Sequence, residues 1–265
     1  MSDPLSAPFR SIWRHRALLL RTTLSDLRSR FAGSTLGVAW LVLYPLLVLS
    51  AYAAVQSRLA SGSSGATLDY VLLVFAGLVP FLGFAEALAT GTTAVSGNAS
   101  LVKNTLFPIE MVPVKAVLSS QATQLVGTVI LLVALGVTGR LGWYAACLPL
   151  VWLLQLVFTI GLIWVLSSLN VFVRDLQQMV GLMTLVLMLV SPIGYPIDSP
   201  TAESLRWLVL PNPIAHAIFC YQDCLIFGRP PGTRSLALLA VASAIAFWGG
   251  HWFFGRLKRV MTDNV

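Results

Sequence analysis

Only ten of the 265 residues are carboxylates, and one of them, Glu86, sits inside a long apolar run. An ionisable group at that depth is costly and normally faces a bundle interior or water. Two chemistries suit it: proton coupling in a secondary carrier, or a structural hydrogen bond near a channel or subunit seam. The other acids that stand near run edges, Asp26, Glu110 and Asp175, are scattered, whereas a membrane-bound glycosyltransferase needs them paired. Cys147, Cys220 and Cys224 form no CxxC motif and no ligand set with His15, His216 and His251. Cys220 and Cys224 are one helical turn apart, which suits apolar packing, a disulfide or a metal. There is no GxxxxGK[ST] phosphate loop, no HExxH and no GxSxG. The sequence therefore shows no enzyme constellation, and a protein with no way to hydrolyse a nucleotide can still be driven by a partner that does.

The composition says where it works. The chain is 57% hydrophobic and 10% charged, against roughly a quarter charged in a soluble domain. That much apolar surface cannot be hidden in one core, so the class is integral membrane protein. The formal charge of +7 does not indicate nucleic acid, because the basic residues sit at the edges of apolar runs. There they mark the cytoplasmic side and attract anionic headgroups. No cleavable signal peptide is expected, since the first apolar run is too long and too far from Met1.

Six apolar stretches, 36–56, 70–95, 112–137, 143–168, 177–197 and 235–255, each approach or exceed the ~20 residues that cross hydrocarbon. With the N-terminus inside, twelve lysines and arginines fall in the cytoplasm and five outside, which places both termini in the cytoplasm. The segment 198–232 is then external. Its apolar pieces are too short to cross, and short re-entrant or interfacial helices are expected there. Before the first span, Phe9, Trp13, Ala17, Leu20, Leu24, Leu27 and Phe31 fall on one helical stripe and Arg10, Arg14, Arg21 and Arg28 on the next. A helix over 8–32 with that pattern lies in the membrane interface. The expected fold is a single all-α membrane domain over 1–265 with six transmembrane helices, an N-terminal amphipathic interface helix and external re-entrant helices before the last span.

Three cytoplasmic segments suit contact with a driving partner. The first is the basic interface helix. The second is SGNASLVKNTLFPIEMVPVK, residues 96–115, where Asn98 or Ser100 caps a short helix with Leu101, Val102, Leu106 and Phe107 on its apolar face and Pro108 at its end. The third is NVFVRDLQQ, residues 170–178, which puts Arg174 and Asp175 between two spans. A short amphipathic helix of this kind seats in a partner's groove and transmits a push.

These segments also carry a family pattern. RSRFAGSTLGVAWLVLYPLL (28–47) resembles an R-x-R-[FY]-x-x-S-x-LG-x-x-W-x-x-x-x-P motif, SLVKNTLFPIEMVPV an N-x-x-L-[IV]-K-x-x-x-FP-x-E-x-[LV]-P segment, NVFVRDLQQMVG then SPIGYP an RD motif followed by SP-x-x-YP, and LPNPIAHAIFCYQDCLIFGRPP an NP motif. In that order and spacing the chain resembles the membrane subunit of ABC-2 type exporters, in the O-antigen and teichoic-acid polysaccharide branch. Gln222 stands where arginine is more usual, a departure that touches the external gate.

The resemblance implies a homodimeric permease paired with two copies of a separate ATPase. ATP and Mg would be bound by the ATPase and no cofactor by this chain. A coupling helix over 98–108 would dock on it, with Asn98, Leu101, Val102, Lys103, Phe107, Pro108, Glu110, Arg174 and Asp175 as contact residues. The implied cargo is a lipid-linked polysaccharide crossing the inner membrane. An ABC-2 exporter of a drug, another lipid, teichoic acid or capsular polysaccharide would share the same motor. An anionic lipid pyrophosphate wants fixed cations near its entrance, and Arg28, Arg30 and Lys103 are candidates, or else they bind ordinary phospholipid. Sugar faces stack on aromatic rings. Trp40, Tyr44, Tyr52, Phe81, Phe84, Trp164 and Tyr195, together with Glu86, are the residues expected to line a path, unless the rings are belt or packing residues.

Overall fold

The computed structural model describes residues 7–30, 33–59, 64–98, 108–195 and 197–264. Every regular element among the described residues is helical; the α-helices are α1 (Ala7–Arg14), α2 (Arg16–Arg30), α3 (Trp40–Leu59), α4 (Ser64–Thr92), α5 (Met111–Val137), α6 (Leu148–Phe172), α7 (Leu176–Val190), α8 (Pro200–Ser204), α9 (Arg206–Val209), α10 (Pro213–Leu225) and α11 (Thr233–Asn264), with short 3-10 turns at Gly37–Ala39, Ser96–Asn98 and Trp143–Cys147. Four stretches, Leu68–Thr92, Met111–Val137, Trp143–Phe172 and Thr233–Lys258, are long and apolar enough to cross a membrane. The protein is an all-helical integral membrane protein.

Two expected elements come out differently. The apolar stretch 177–197 forms only the fifteen residues of α7, about 22 Å at 1.5 Å per residue, short of the ~30 Å hydrocarbon core. Pro192 follows Ser191 at the end of α7, and proline cannot continue the hydrogen-bond ladder. The N-terminal helix is not continuous over 8–32 but turns at His15 between α1 and α2. There Arg16 stacks 4.5 Å over the Trp13 ring and donates to the Trp13 carbonyl, closing the last turn of α1. The expected coupling helix lies almost wholly outside the described residues, since 99–107 are not among them.

The long helices pack around polar side chains as well as apolar ones. Pro80 sits inside α4, and proline in a span needs neighbours to take up disturbed carbonyls. Gln155 of α6 donates to the Pro80 carbonyl at 2.8 Å. Gln124 of α5 donates both to the Gln155 side-chain oxygen, at 3.0 Å, and to the Tyr221 hydroxyl of α10, at 3.1 Å. All of these side chains are buried, so four helices meet at one satisfied network. Gln124→Leu strands its partners in a dry core. The expected result is a loss of roughly 1–3 kcal/mol, read as a lowered unfolding midpoint of the purified protein; an unchanged midpoint would show the network to be idle.

The segment before the last long helix is built by its own residues. The Asn212 side chain accepts from the Ile214 N–H at 3.2 Å and Pro213 follows at the first helical position, a side-chain cap with a preformed first turn. Residues Ile214–Leu225 of α10 are all buried, packed among α4, α6 and α11. Gln222 donates to the carbonyls of Pro192 and Ile193, so the position that departs from the family pattern ties α10 to the chain that follows α7.

Candidate functional site

The site grows from the inward face of α2. Leu19 and Thr23 are buried and Asp26 and Arg30 half-buried, a stripe at helical spacing. On the stripe expected to face the membrane interface, Trp13, Leu20 and Leu24 are exposed. The inward stripe ends in two ion pairs. Asp26 accepts from Lys115 Nζ of α5 at 3.0 Å and from the Ser119 hydroxyl at 3.2 Å. Arg30 pairs with Glu86 of α4, so the carboxylate that looked isolated in sequence has a basic partner from the N-terminal helix.

That second pair borders a cavity of about 480 Å³ whose walls include Trp40, Leu41, Tyr44, Leu82, Ala85, Ala89 and Thr123. Trp40 and Tyr44 are 40% and 50% exposed. One wall is thus aromatic and another carries a guanidinium–carboxylate pair, a mixture that suits a ring with an apolar face and hydroxyls. The turn that brings α3 to this wall needs glycine: Gly33 and Gly37 adopt φ of +83° and +51°, the left-handed region other residues avoid.

The expected path aromatics divide. Phe81, Phe84 and Trp164 are 1%, 3% and 0% exposed and belong to the hydrophobic core of the chain. Phe84 stacks on Phe158, and Trp164 packs on Phe247 and His251. In spans apolar on every side, nothing in the pattern says which ring faces a path. Tyr195 is half-buried and donates to the Val190 carbonyl at 2.9 Å, closing the end of α7. Tyr52 lies on α3, with its side chain outside the described residues.

A second node sits where the chain returns from the undescribed 99–107 segment. The Glu110 carboxylate accepts from Lys258 Nζ of α11 at 2.6 Å, and its backbone carbonyl accepts from the Trp164 indole of α6 at 2.9 Å. One residue is thereby held by two long helices. Asn98 donates to the Ala94 carbonyl, and Asn170 of α6 donates to Ser96, fixing the other side of the same segment. Pro108 is half-buried, while Arg28, Arg174 and Asp175 are exposed. Leu101, Val102, Lys103 and Phe107 fall outside the described residues. Asp26, Lys115 and Lys258 were not singled out as site residues from the sequence; their partners lie 89 and 148 positions away, beyond any local signal.

No group of three or more His, Cys, Asp or Glu among the described residues could hold a metal, and all three cysteines are free.

Residues 16–225 match a family model described as ABC-2 type transporter. The O-antigen export system permease protein RfbA of Myxococcus xanthus is 26% identical over 258 residues, 97% of this chain and 98% of its own length. A protein of the same name from Klebsiella pneumoniae is 29% identical over 244 residues, covering 91% and 92% of the two chains.

Proposed function

This chain belongs to the ABC-2 type transporter family, and from that premise we propose that it is the permease subunit of an ATP-driven exporter of a lipid-linked, O-antigen-like polysaccharide. The observation that carries the reading is the cavity beside α2, with Trp40 and Tyr44 on one wall and the Arg30–Glu86 pair on another. End-to-end likeness to two permeases named for O-antigen export supports it.

In this reading α3 and α7 join the four long spans to make six, with α7 completed by the Ser191–Tyr195 stretch. Both termini face the cytoplasm of the inner membrane, α2 lies at the cytoplasmic boundary, and α8–α10 form the external region. Two copies associate, each with one copy of an ATPase that binds ATP and Mg. Residues 98–108 dock on that ATPase, with Arg174 and Asp175 nearby. The Asp26–Lys115, Arg30–Glu86 and Glu110–Lys258 pairs then carry movement of the docked segments into α4, α5 and α11. Arg28, Arg30 and Lys103 meet the lipid pyrophosphate where it enters.

The test uses the tagged full chain in its own cells. It is expected to co-purify with an ATPase, and Glu110→Ala or Lys258→Ala should abolish most polysaccharide delivery while ATP hydrolysis by the purified complex persists. The Lys258 side chain is 45% exposed and that of Glu110 19%, so Glu110→Ala, which leaves a cation able to reach water, is the cleaner variant, and an unchanged unfolding midpoint separates its loss of delivery from a folding defect. The charge swap Glu110→Lys with Lys258→Glu should recover part of it. Isolation without any ATPase, or transport by the purified chain down a proton gradient, would refute the proposal.

A further inference from the structure

At the end of the bundle away from α2, a second cavity of about 260 Å³ is bordered by Glu203, Arg206, Leu210, His216, Phe219 and Arg234. Two buried polar side chains line it, Ser235 and His216, 2% and 4% exposed. One ring nitrogen, Nε2, lies 3.0 Å from the Leu210 carbonyl. A carbonyl only accepts, so Nε2 carries the proton. Nδ1 is buried with no hydrogen-bond partner, an arrangement that costs free energy unless a ligand or water fills it. Burial lowers the imidazole pKa, the Leu210 hydrogen bond opposes this, and the Arg234 charge lowers it further. The ring is neutral and Nδ1 is an acceptor awaiting a donor.

The mouth has the opposite character. Arg206 and Arg234 are exposed, and among the described residues neither forms an ion pair. Glu203 is the one acidic residue on the lining, so with a neutral imidazole the pocket is net positive. Guanidinium groups recognise carboxylates through paired hydrogen bonds. Buried Val209 and Phe219 supply apolar surface. The volume falls just under the ~300–1,000 Å³ of drug-sized pockets, room for one ring rather than a chain of them.

We propose that this cavity binds a single acidic sugar unit, its carboxylate on Arg206 and Arg234 and one of its hydroxyls donating to His216 Nδ1. That such a unit belongs to the departing polymer, on the external face, rests on the exporter reading above; the binding chemistry does not.

The experiment titrates the full-length protein in lipid nanodiscs with D-glucuronate, D-glucose and inorganic phosphate, followed by ligand-observed NMR. Glucuronate should bind saturably, with glucose at least tenfold weaker and phosphate a poor competitor. Arg234→Ala and His216→Phe should each weaken glucuronate at least tenfold. Because Arg234 is exposed, its variant folds even if the His216 variant does not. Equal binding of glucose, or displacement by phosphate as effective as by glucuronate, would overturn the proposal, as would unchanged affinity in Arg234→Ala. Sidedness is read separately. Glu203→Cys, on the rim of the cavity with both arginines kept and in a chain with Cys147→Ser, should react with a membrane-impermeant maleimide added outside the cells and be protected by glucuronate. Labelling from the cytoplasmic side alone would overturn the external placement and the topology beneath it, while the nanodisc titration would still decide the pocket.

Discussion

Arg30→Ala is expected to reduce polysaccharide export at least tenfold and to lower the unfolding midpoint of the purified protein. The substitution leaves the Glu86 side chain in α4 without its cation, and both side chains are three-quarters buried. Removing one partner of a fully buried pair costs ~3–5 kcal/mol. With each side chain a quarter exposed, about 1–3 kcal/mol is the appropriate range, and 1.4 kcal/mol is a factor of about ten. Glu86→Gln should be milder, because Arg30 stands at the end of α2, is a quarter exposed, and carries its charge on a long side chain that can reach a polar surrounding. The reversal Arg30→Glu with Glu86→Arg should restore part of the loss, as a mere cavity or misfolding effect would not. A proton carrier behaves differently: there Glu86→Gln alone would abolish transport and its dependence on the proton gradient, and the reversal would rescue nothing. That outcome, measured as surface polysaccharide in cells and as Tm in detergent, would remove the brace from the mechanism.

The same pair shows what the sequence could and could not disclose. Glu86 stood out because a lone carboxylate in an apolar run is conspicuous. Arg30 did not stand out as its partner, because the two are 56 residues apart and the stripe that carries Arg30 inward begins with an ordinary leucine and threonine. Capping chemistry is local, yet hydropathy does not use it. The Asn-Pro at 212–213 starts α10, and Ser-Pro at 191–192 stops α7, both through local backbone rules. Yet the same proline shortened a helix that hydropathy alone had extended to 197. The buried Gln124–Gln155–Tyr221 network left no trace, since glutamines in an apolar run read equally well as facing a pore. Phe81, Phe84 and Trp164 are buried, the packing alternative that the sequence leaves open beside a path, and for a related reason it cannot choose between the two. Hydrophobic periodicity separates core from water, but a span that is apolar all round gives it no contrast to read.

The seam between α6 and α11 gives the largest effect expected on stability. A Cβ at Gly161 would lie 2.2 Å from the backbone carbon of Ala246, and one at Gly250 would lie 2.1 Å from the backbone oxygen of Gly161. Neither obstacle is a side chain that can rotate away, so Gly161→Ala and Gly250→Ala each force the two helices apart. Overpacking costs typically ~1–3 kcal/mol and occasionally more, and backbone against backbone belongs at the upper end. The adjacent Gly249 meets nothing within 4 Å. There, alanine removes the mid-helix glycine penalty of ~0.5–1 kcal/mol, so Gly249→Ala should be neutral or stabilising. Opposite signs at neighbouring positions, read as unfolding midpoints, isolate packing from helix propensity; a Gly161→Ala protein as stable as the parent would show that the helices do not approach this closely. The consequence extends to export. Trp164 of α6 and Lys258 of α11 hold Glu110 from two sides, and Ser243 of α11 donates across the same seam to the Leu154 carbonyl at 2.8 Å. Small residues that let two helices touch thus set the distance between the two groups that fix Glu110. Widening the seam should loosen that residue and uncouple export even in protein that remains folded, leaving ATP hydrolysis by the complex intact.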